Sequence, residues 1–179
     1  MRVIAGKYRN RNLKASDRFR PTTDRVRETL FNILQNQIDG AVLVDAFAGS
    51  GAVGIEALSR GASSVYFLES NRKILRILES NLTICGEEGQ WRIYSLPVLK
   101  GLEVIQQAQK SVDFIFFDPP YEFEDYAELL QKASVLFPAA TYIVEASSRS
   151  RLDLVPGLEL IRARNIGETT LSFFRGETV

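Results

Sequence analysis

Three short groups of residues in this chain could do chemistry together. They are Asp45-Ala46-Phe47-Ala48-Gly49-Ser50-Gly51-Ala52-Val53-Gly54, then Glu69, then Asp118-Pro119-Pro120-Tyr121. The glycines of the first group allow close backbone approach to a ligand, and free N–H groups at a helix start favour polar or anionic ligand atoms. The string G-x-G-x-x-G can hold a dinucleotide or simply make a tight turn. Asp45 shifts the balance, because a carboxylate beside a pyrophosphate repels it. It suits a ligand carrying an amine and a sulfonium but no phosphate, such as S-adenosylmethionine.

Glu69 ends the apolar stretch Val65-Tyr66-Phe67-Leu68 and lies eighteen residues beyond Gly51. An acid at that place can accept from both ribose hydroxyls of a nucleoside, or it can serve as a helix-start carboxylate ahead of Ser70 and Asn71. Asp118 follows Val112-Asp113-Phe114-Ile115-Phe116-Phe117. Its two prolines fix the backbone and remove N–H donors, leaving carbonyls outward. Asp118 and the Pro119 carbonyl then offer two acceptors, and Tyr121 a stacking face. Such a set fits the exocyclic amine of a planar base. That nitrogen is a poor nucleophile until its N–H bonds are held and its lone pair is aimed.

Composition removes several chemistries. The chain has 179 residues, no histidine and one cysteine, Cys85, so it lacks His-dependent triads, imidazole proton shuttles and internal disulfides, and a zinc cluster is not expected. Cys85, near a helix end, reads as packing rather than as the nucleophile of a cytosine-C5 mechanism. No apolar run approaches the ~20 residues of a membrane span, and the N-terminus has no h-region. The expectation is a cytoplasmic, monomeric protein with no metal and no membrane partner.

Charge is segregated, although the net charge is zero. Residues 1–27 carry nine basic and two acidic side chains, or +7, which leaves −7 on the remainder. A basic leading arm interleaved with Tyr8, Leu13 and Phe19 suggests a polyanionic partner held at one end.

The elements that must position these groups alternate. Strands are predicted at 41–46, 64–69, 91–95, 112–118 and 141–146, with helices at 51–60, 71–85, 98–109 and 123–136. Gly61 and Gly86 sit where left-handed caps are wanted. Strands at 158–163 and 169–174, with Asn165-Ile166-Gly167 between them, are too close for a crossover and form an antiparallel hairpin. Upstream, Val3-Ile4-Ala5, Gly6 and residues 7–13 suggest a basic hairpin. Pro21, Thr22 and Thr23 then open a helix whose apolar face is Val26, Leu30, Ile33 and Leu34. The predicted fold is α/β, a doubly wound, mostly parallel seven-stranded Rossmann-like sheet with an antiparallel terminal hairpin. Its expected division is a basic arm and helix at 1–38 and a main domain at 39–179.

The motifs RPTTDRVRETLFN at 20–32, DAFAGSGAVGIEALSRGA at 45–62 and DPPY at 118–121, with VIAGKYRNRNL at 3–13, resemble the RsmD family in order and spacing. The resemblance covers almost the whole chain. It implies a class I S-adenosylmethionine-dependent methyltransferase acting on the exocyclic N2 of a guanine in 16S ribosomal RNA, free or in a small-subunit assembly intermediate, with S-adenosylhomocysteine as product. The implied donor-binding residues are Asp45, Phe47, Gly49, Ser50, Gly51, Glu69 and Ser70. Asp118, Pro119, Pro120 and Tyr121 are the catalytic set, and Lys7, Arg9, Arg11, Arg20, Thr23, Arg25 and Arg27 the RNA-binding set. One departure stands out: Leu96-Pro97 replaces the Asp or Asn that usually meets the adenine amine, so apolar packing or a backbone carbonyl must hold the base. Four alternatives compete: adenine N6 in DNA or RNA, a protein glutamine amide, a non-catalytic ribosome-assembly factor, and a nicotinamide oxidoreductase.

Overall fold

The computed structural model describes residues 1–15, 22–86, 89–109, 111–120, 122–150, 152 and 155–177. Helix α1 (Asp24–Leu34) precedes β1 (Val42–Asp45), α2 (Ala52–Ser59), β2 (Ser64–Leu68) and α3 (Arg72–Leu82). There follow β3 (Trp91–Tyr94), α4 (Val98–Ala108), β4 (Phe114–Phe117), α5 (Tyr126–Leu136), β5 (Thr141–Ser147), β6 (Leu158–Ile166) and β7 (Thr169–Gly176). The strands form one sheet in the order β3-β2-β1-β4-β5-β7-β6. The first five run parallel, and β7 is antiparallel to both β5 and β6. All seven expected strands are present.

The central strands are apolar along their length because helices cover both faces. Phe114 to Phe117 of β4 are all buried. Leu30 and Phe31 of α1, Ile55 of α2 and Leu78 of α3 pack on one face with Leu43, Phe67, Phe116 and Phe173. Leu102 and Ile105 of α4 and Leu130 and Ala133 of α5 pack on the other with Val44, Ile115, Phe117 and Phe174.

Three boundaries differ from the sequence reading. The third helix ends at Leu82 and tightens into a 3-10 turn, Thr83–Cys85, before Gly86 at φ 69°. Helix α5 begins at Tyr126 rather than 123, leaving Phe123 in the preceding loop. The terminal hairpin turns on Gly167-Glu168 alone, with Asn165 paired in the ladder to Thr170, whose hydroxyl donates to Asn165 Oδ1 at 2.7 Å. Gly167, at φ 63°, makes the two-residue turn possible.

The expected N-terminal hairpin forms: Arg2 bridges Asn12 antiparallel, and Val3 N–H donates to Arg11 O at 3.0 Å. It is packed, with Val3, Tyr8 and Leu13 buried in the same core as α1, α2 and α3. Gly6 allows the approach, since a Cβ there would lie 1.7 Å from Ser59 O. Lys7 N–H donates to that carbonyl at 2.7 Å, and Tyr8 N–H to Ser59 Oγ at 2.9 Å.

Beneath the hairpin lies Glu56 of α2, whose side chain is fully buried. Its carboxylate accepts from Ile4 N–H at 2.7 Å, Ala5 N–H at 3.0 Å and Arg60 Nε at 2.7 Å. Arg27 of α1, also 0% exposed, approaches it at 3.6 Å and donates to Arg2 O and Asp24 Oδ1. Arg27 is therefore a structural anchor, which corrects the expectation that it contacts RNA: no phosphate can reach it. Removing one partner of a buried charge pair leaves the other uncompensated. Glu56→Ala should accordingly cost about 3–5 kcal/mol in urea unfolding and expose residues 1–15 to protease in the folded protein.

Candidate active site

The sheet order reverses between β1 and β4, and a crevice opens at the carboxyl ends of those strands. Asp45 is the last residue of β1 and Asp118 the first beyond β4; Ala46 N–H donates to Phe116 O at 2.9 Å, locking the two strand ends together. Two cavities meet here, of about 620 and 420 Å³, sharing Phe47, Glu69 and Ser70 in their walls.

Asp45 is 2% exposed, and its Oδ2 accepts from Gly54 N–H at 3.0 Å. Burial pushes its carboxyl up to about 7; the Gly54 N–H opposes this, and the charges of Asp118 and Glu69 add to it. Its carboxylate thus fixes the start of α2 and presents a poised acid to the cavity. Glu69 takes the helix-start role considered for it and also ties down the glycine turn. Its Oε2 accepts from Gly49 N–H at 3.1 Å and its Oε1 from Asn71 N–H at 2.7 Å, while Asn71 caps α3 by accepting from Lys73 N–H.

Within the glycine turn, Gly49 and Ser50 line the larger cavity. Gly51 shapes the turn itself. It holds φ 79° at the N-cap of α2 and faces inward, where a Cβ would lie 2.4 Å from Leu78 Cδ1. Gly54 likewise lets β2 pack close, since a Cβ would meet Phe67 at 2.2 Å.

Asp118, Pro119 and Pro120 all line the larger cavity. Thr22 Oγ1 donates to Asp118 Oδ2 at 2.8 Å across 96 residues of chain. Burial pushes the Asp118 carboxyl up to about 6, with the Thr22 hydrogen bond opposing. Tyr121 and Arg20 lie outside the described residues. Lys7, Arg9, Arg11 and Arg25 are exposed. Thr23 is the N-cap of α1, accepting from Val26 N–H at 3.3 Å, and it also reaches the cavity wall.

Sequence reasoning did not find Glu122, Tyr126, Glu145, Ser147, Glu168 or Thr169 in this wall. Glu145 had a signal, an acid interrupting the apolar run of β5. Glu168 had none, because only the antiparallel return of β7 brings its turn to the crevice. With Asp45, Glu69 and Asp118 they make six carboxylates around the larger cavity, and no Lys or Arg is among its described lining residues. The smaller cavity is mostly apolar, walled by Leu96, Pro97, Val98, Leu99, Phe123 and Leu129. Phe123 stands edge-on to both Phe47, at 6.0 Å, and Tyr126, at 5.1 Å between ring centres. Among the described residues no group of His, Cys, Asp or Glu could hold a metal ion, and no helix is long and apolar enough to cross a membrane.

Comparison with known proteins follows the same lines. The family model described as Conserved hypothetical protein 95 matches residues 1–175. Ribosomal RNA small subunit methyltransferase D of Haemophilus influenzae is 37% identical, with 93% of this chain and 89% of that protein covered. The protein of the same name from Escherichia coli K12 is 36% identical over 99% of this chain and 90% of its own length. The solved structure of a hypothetical protein from Thermus thermophilus superposes with a TM-score of 0.82 at 29% identity, covering 98% of this chain and 99% of that one. SMU.776, solved in complex with SAH, shares the fold at 12% identity and a TM-score of 0.70, over 93% of this chain and 52% of its own.

A carboxyl whose pKa is raised by folding favours the folded state below its unfolded value and loses that contribution as pH rises through the folded one. For Asp45 the window runs from about 4 to about 7. Asp45→Asn keeps an acceptor for Gly54 N–H without the buried charge. It should therefore raise unfolding free energy at pH 8, by on the order of 3–4 kcal/mol at most, and flatten the parent's decline between pH 5 and 8. Denaturant unfolding at the two pH values measures both.

Proposed function

We infer the reaction from one premise: this chain belongs to the RsmD family, whose relatives named above are ribosomal RNA small subunit methyltransferases. It is an RNA methyltransferase of the class I fold, transferring a methyl group from S-adenosylmethionine to the exocyclic N2 of a guanine in 16S ribosomal RNA. The observation that carries this reading is the convergence at one switch point of an acidic cavity, an apolar recess and the Asp118-Pro119 acceptor pair.

The residues present fit that donor. Six carboxylates and no described cation suit a ligand bearing a sulfonium and an ammonium. Glu69, at the junction of the two cavities, is within the walls of both and can accept from a ribose. The apolar recess suits the adenine, held there by packing against Phe47, Leu96, Pro97 and Val98 with no side-chain acceptor at 96 or 97. Dispersion and burial supply affinity at such a wall, whereas a hydrogen bond would also select the base.

When bound, the sulfonium supplies the methyl group: an N–CH3 bond forms as the S–CH3 bond breaks and leaves its electron pair on sulfur. Asp118 and the Pro119 carbonyl accept the two N–H bonds of the guanine amine and aim its lone pair. The nitrogen turns acidic on transfer, and Asp118 or water takes the proton. The target guanine must be unstacked to enter, since in a duplex its N2 is engaged in pairing and its ring faces are covered by neighbouring bases. The exposed Lys7, Arg9, Arg11 and Arg25 supply phosphate contacts.

Two measurements test this reading. Asp118→Ala should abolish methyl transfer to small-subunit RNA while calorimetry still registers S-adenosylmethionine. Mass mapping of 16S RNA from cells carrying that variant should then show one methyl group missing from one guanine; retained turnover would refute the catalytic assignment. In the second test, Arg9→Ala with Arg11→Ala should weaken RNA binding at all sequences and shrink the slope of log affinity on log salt by about 1–2. Unchanged salt dependence would remove the hairpin from the RNA interface.

A further inference from the structure

We propose that Thr22 is a positioning residue for Asp118: its hydroxyl holds one carboxylate oxygen and turns the other toward the acceptor amine. The proposal rests on the reading above and adds a residue to it.

The geometry is specific. Thr22 Oγ1 donates to Asp118 Oδ2 at 2.8 Å, and among the described residues it is the one hydrogen-bond donor to that side chain. An ionised carboxylate is acceptor-only, so Oδ2 engaged by Thr22 leaves Oδ1 for the amine. The two neighbouring threonines divide their work. Thr23 caps α1 through Val26 N–H, so Thr22 is not needed to start the helix. The hydroxyl of Thr22 is therefore free to serve the loop after β4.

The electrical surroundings explain why a donor is needed there. Asp118 acts electrostatically on Asp45 of β1 and Tyr126 of α5, and Glu122 of its own loop, Glu145 of β5 and Glu168 of the β6–β7 turn line the same wall. Among the described lining residues none carries a positive charge. Burial favours the protonated acid, which would present a hydroxyl to the amine in place of a lone pair. A hydroxyl donor stabilises the charged form. Thr22 acts on Asp118 in that sense.

The test compares Thr22→Val, which keeps the shape and removes the donor, with Thr22→Ser, which keeps the donor. Carbon-13 NMR titration of the Asp118 carboxyl in the protein without RNA gives its pKa directly. The pH profile of kcat/KM on small-subunit RNA gives the acidic limb. In Thr22→Val both should move up by about one pH unit, the size expected from losing one hydrogen bond to a charged group. Thr22→Ser should return both to the parent values, and S-adenosylmethionine affinity should stay within about twofold in either variant. A carboxyl pKa unchanged in Thr22→Val overturns the proposal, as does a raised pKa with an unmoved limb. Rate lost equally at every pH would assign Thr22 to holding the N-terminal segment, and would also overturn it. If the carboxyl pKa rises but the parent methylates no guanine amine, the coupling of Thr22 to Asp118 stands and the guanine reading fails.

Discussion

The buried carboxylate of Glu56 is the constraint on which the rest of the architecture depends. It sits on the helix that follows the glycine turn and accepts from two backbone N–H groups of the leading hairpin, from Arg60 and, at longer range, from Arg27. A charge so placed is costly to bury alone, and its partners come from three separate segments. Each segment is fixed relative to the others because none can withdraw without leaving an unpaired charge. Arg60 adds a second tie by lying over the Phe31 ring of α1 at 5.0 Å. The leading hairpin, α1 and the helix after the glycine turn are thereby held as one body.

That arrangement resolves an electrostatic conflict. The methyl donor is cationic and the substrate polyanionic, so a single patch of either sign would favour one and repel the other. Here acids surround the crevice and no described Lys or Arg lines it, while Lys7, Arg9 and Arg11 of the hairpin and Arg25 of α1 are among the exposed cations. Nucleic-acid bases carry no formal charge, so an acidic crevice repels a base far less than it repels phosphates. The zero net charge of the chain conceals this separation. Coupling through Glu56 keeps the hairpin and the helix that leads from the crevice at a constant offset.

Most of the sheet was legible in the sequence, because the apolar strands, capping glycines and helical periods agree with one another. The first two cavity-forming carboxylates were legible for a related reason: Asp45 and Glu69 end predicted parallel strands, where ligands gather. Arg27 was misread because a cation in a basic run looks the same whether it faces water or a buried acid. Its partner, Glu56, lies 29 positions away in a helix with no amphipathic stripe, since every residue of α2 is buried. The inward packing of Gly51 against Leu78 was not legible, because both sides of a tight turn can demand glycine and sequence does not tell them apart. Glu145 of β5 had a signal, but Glu168 of the last hairpin turn was invisible for a topological reason. It reaches the crevice only through the antiparallel return of β7 beside β5.

The short segment from Thr22 to Arg27 gathers these strands of argument. Within six residues it supplies a hydroxyl to the carboxylate after β4, a cap to its own helix, a cation exposed to solvent at Arg25 and a cation buried against Glu56. Their order follows from helix geometry: Thr22 and Thr23 precede the first turn and can reach outward, whereas Val26 and Arg27 begin the face that packs inward. A one-residue slip of this helix would carry Arg27 away from Glu56 and Thr22 away from Asp118 together. The anchor that stabilises the N-terminal half therefore also sets the register of the hydroxyl that meets Asp118. The buried ion pair and the hydrogen bond to the crevice carboxylate share that one register, and this is a physical reason for such specific sequence in a segment that precedes the sheet.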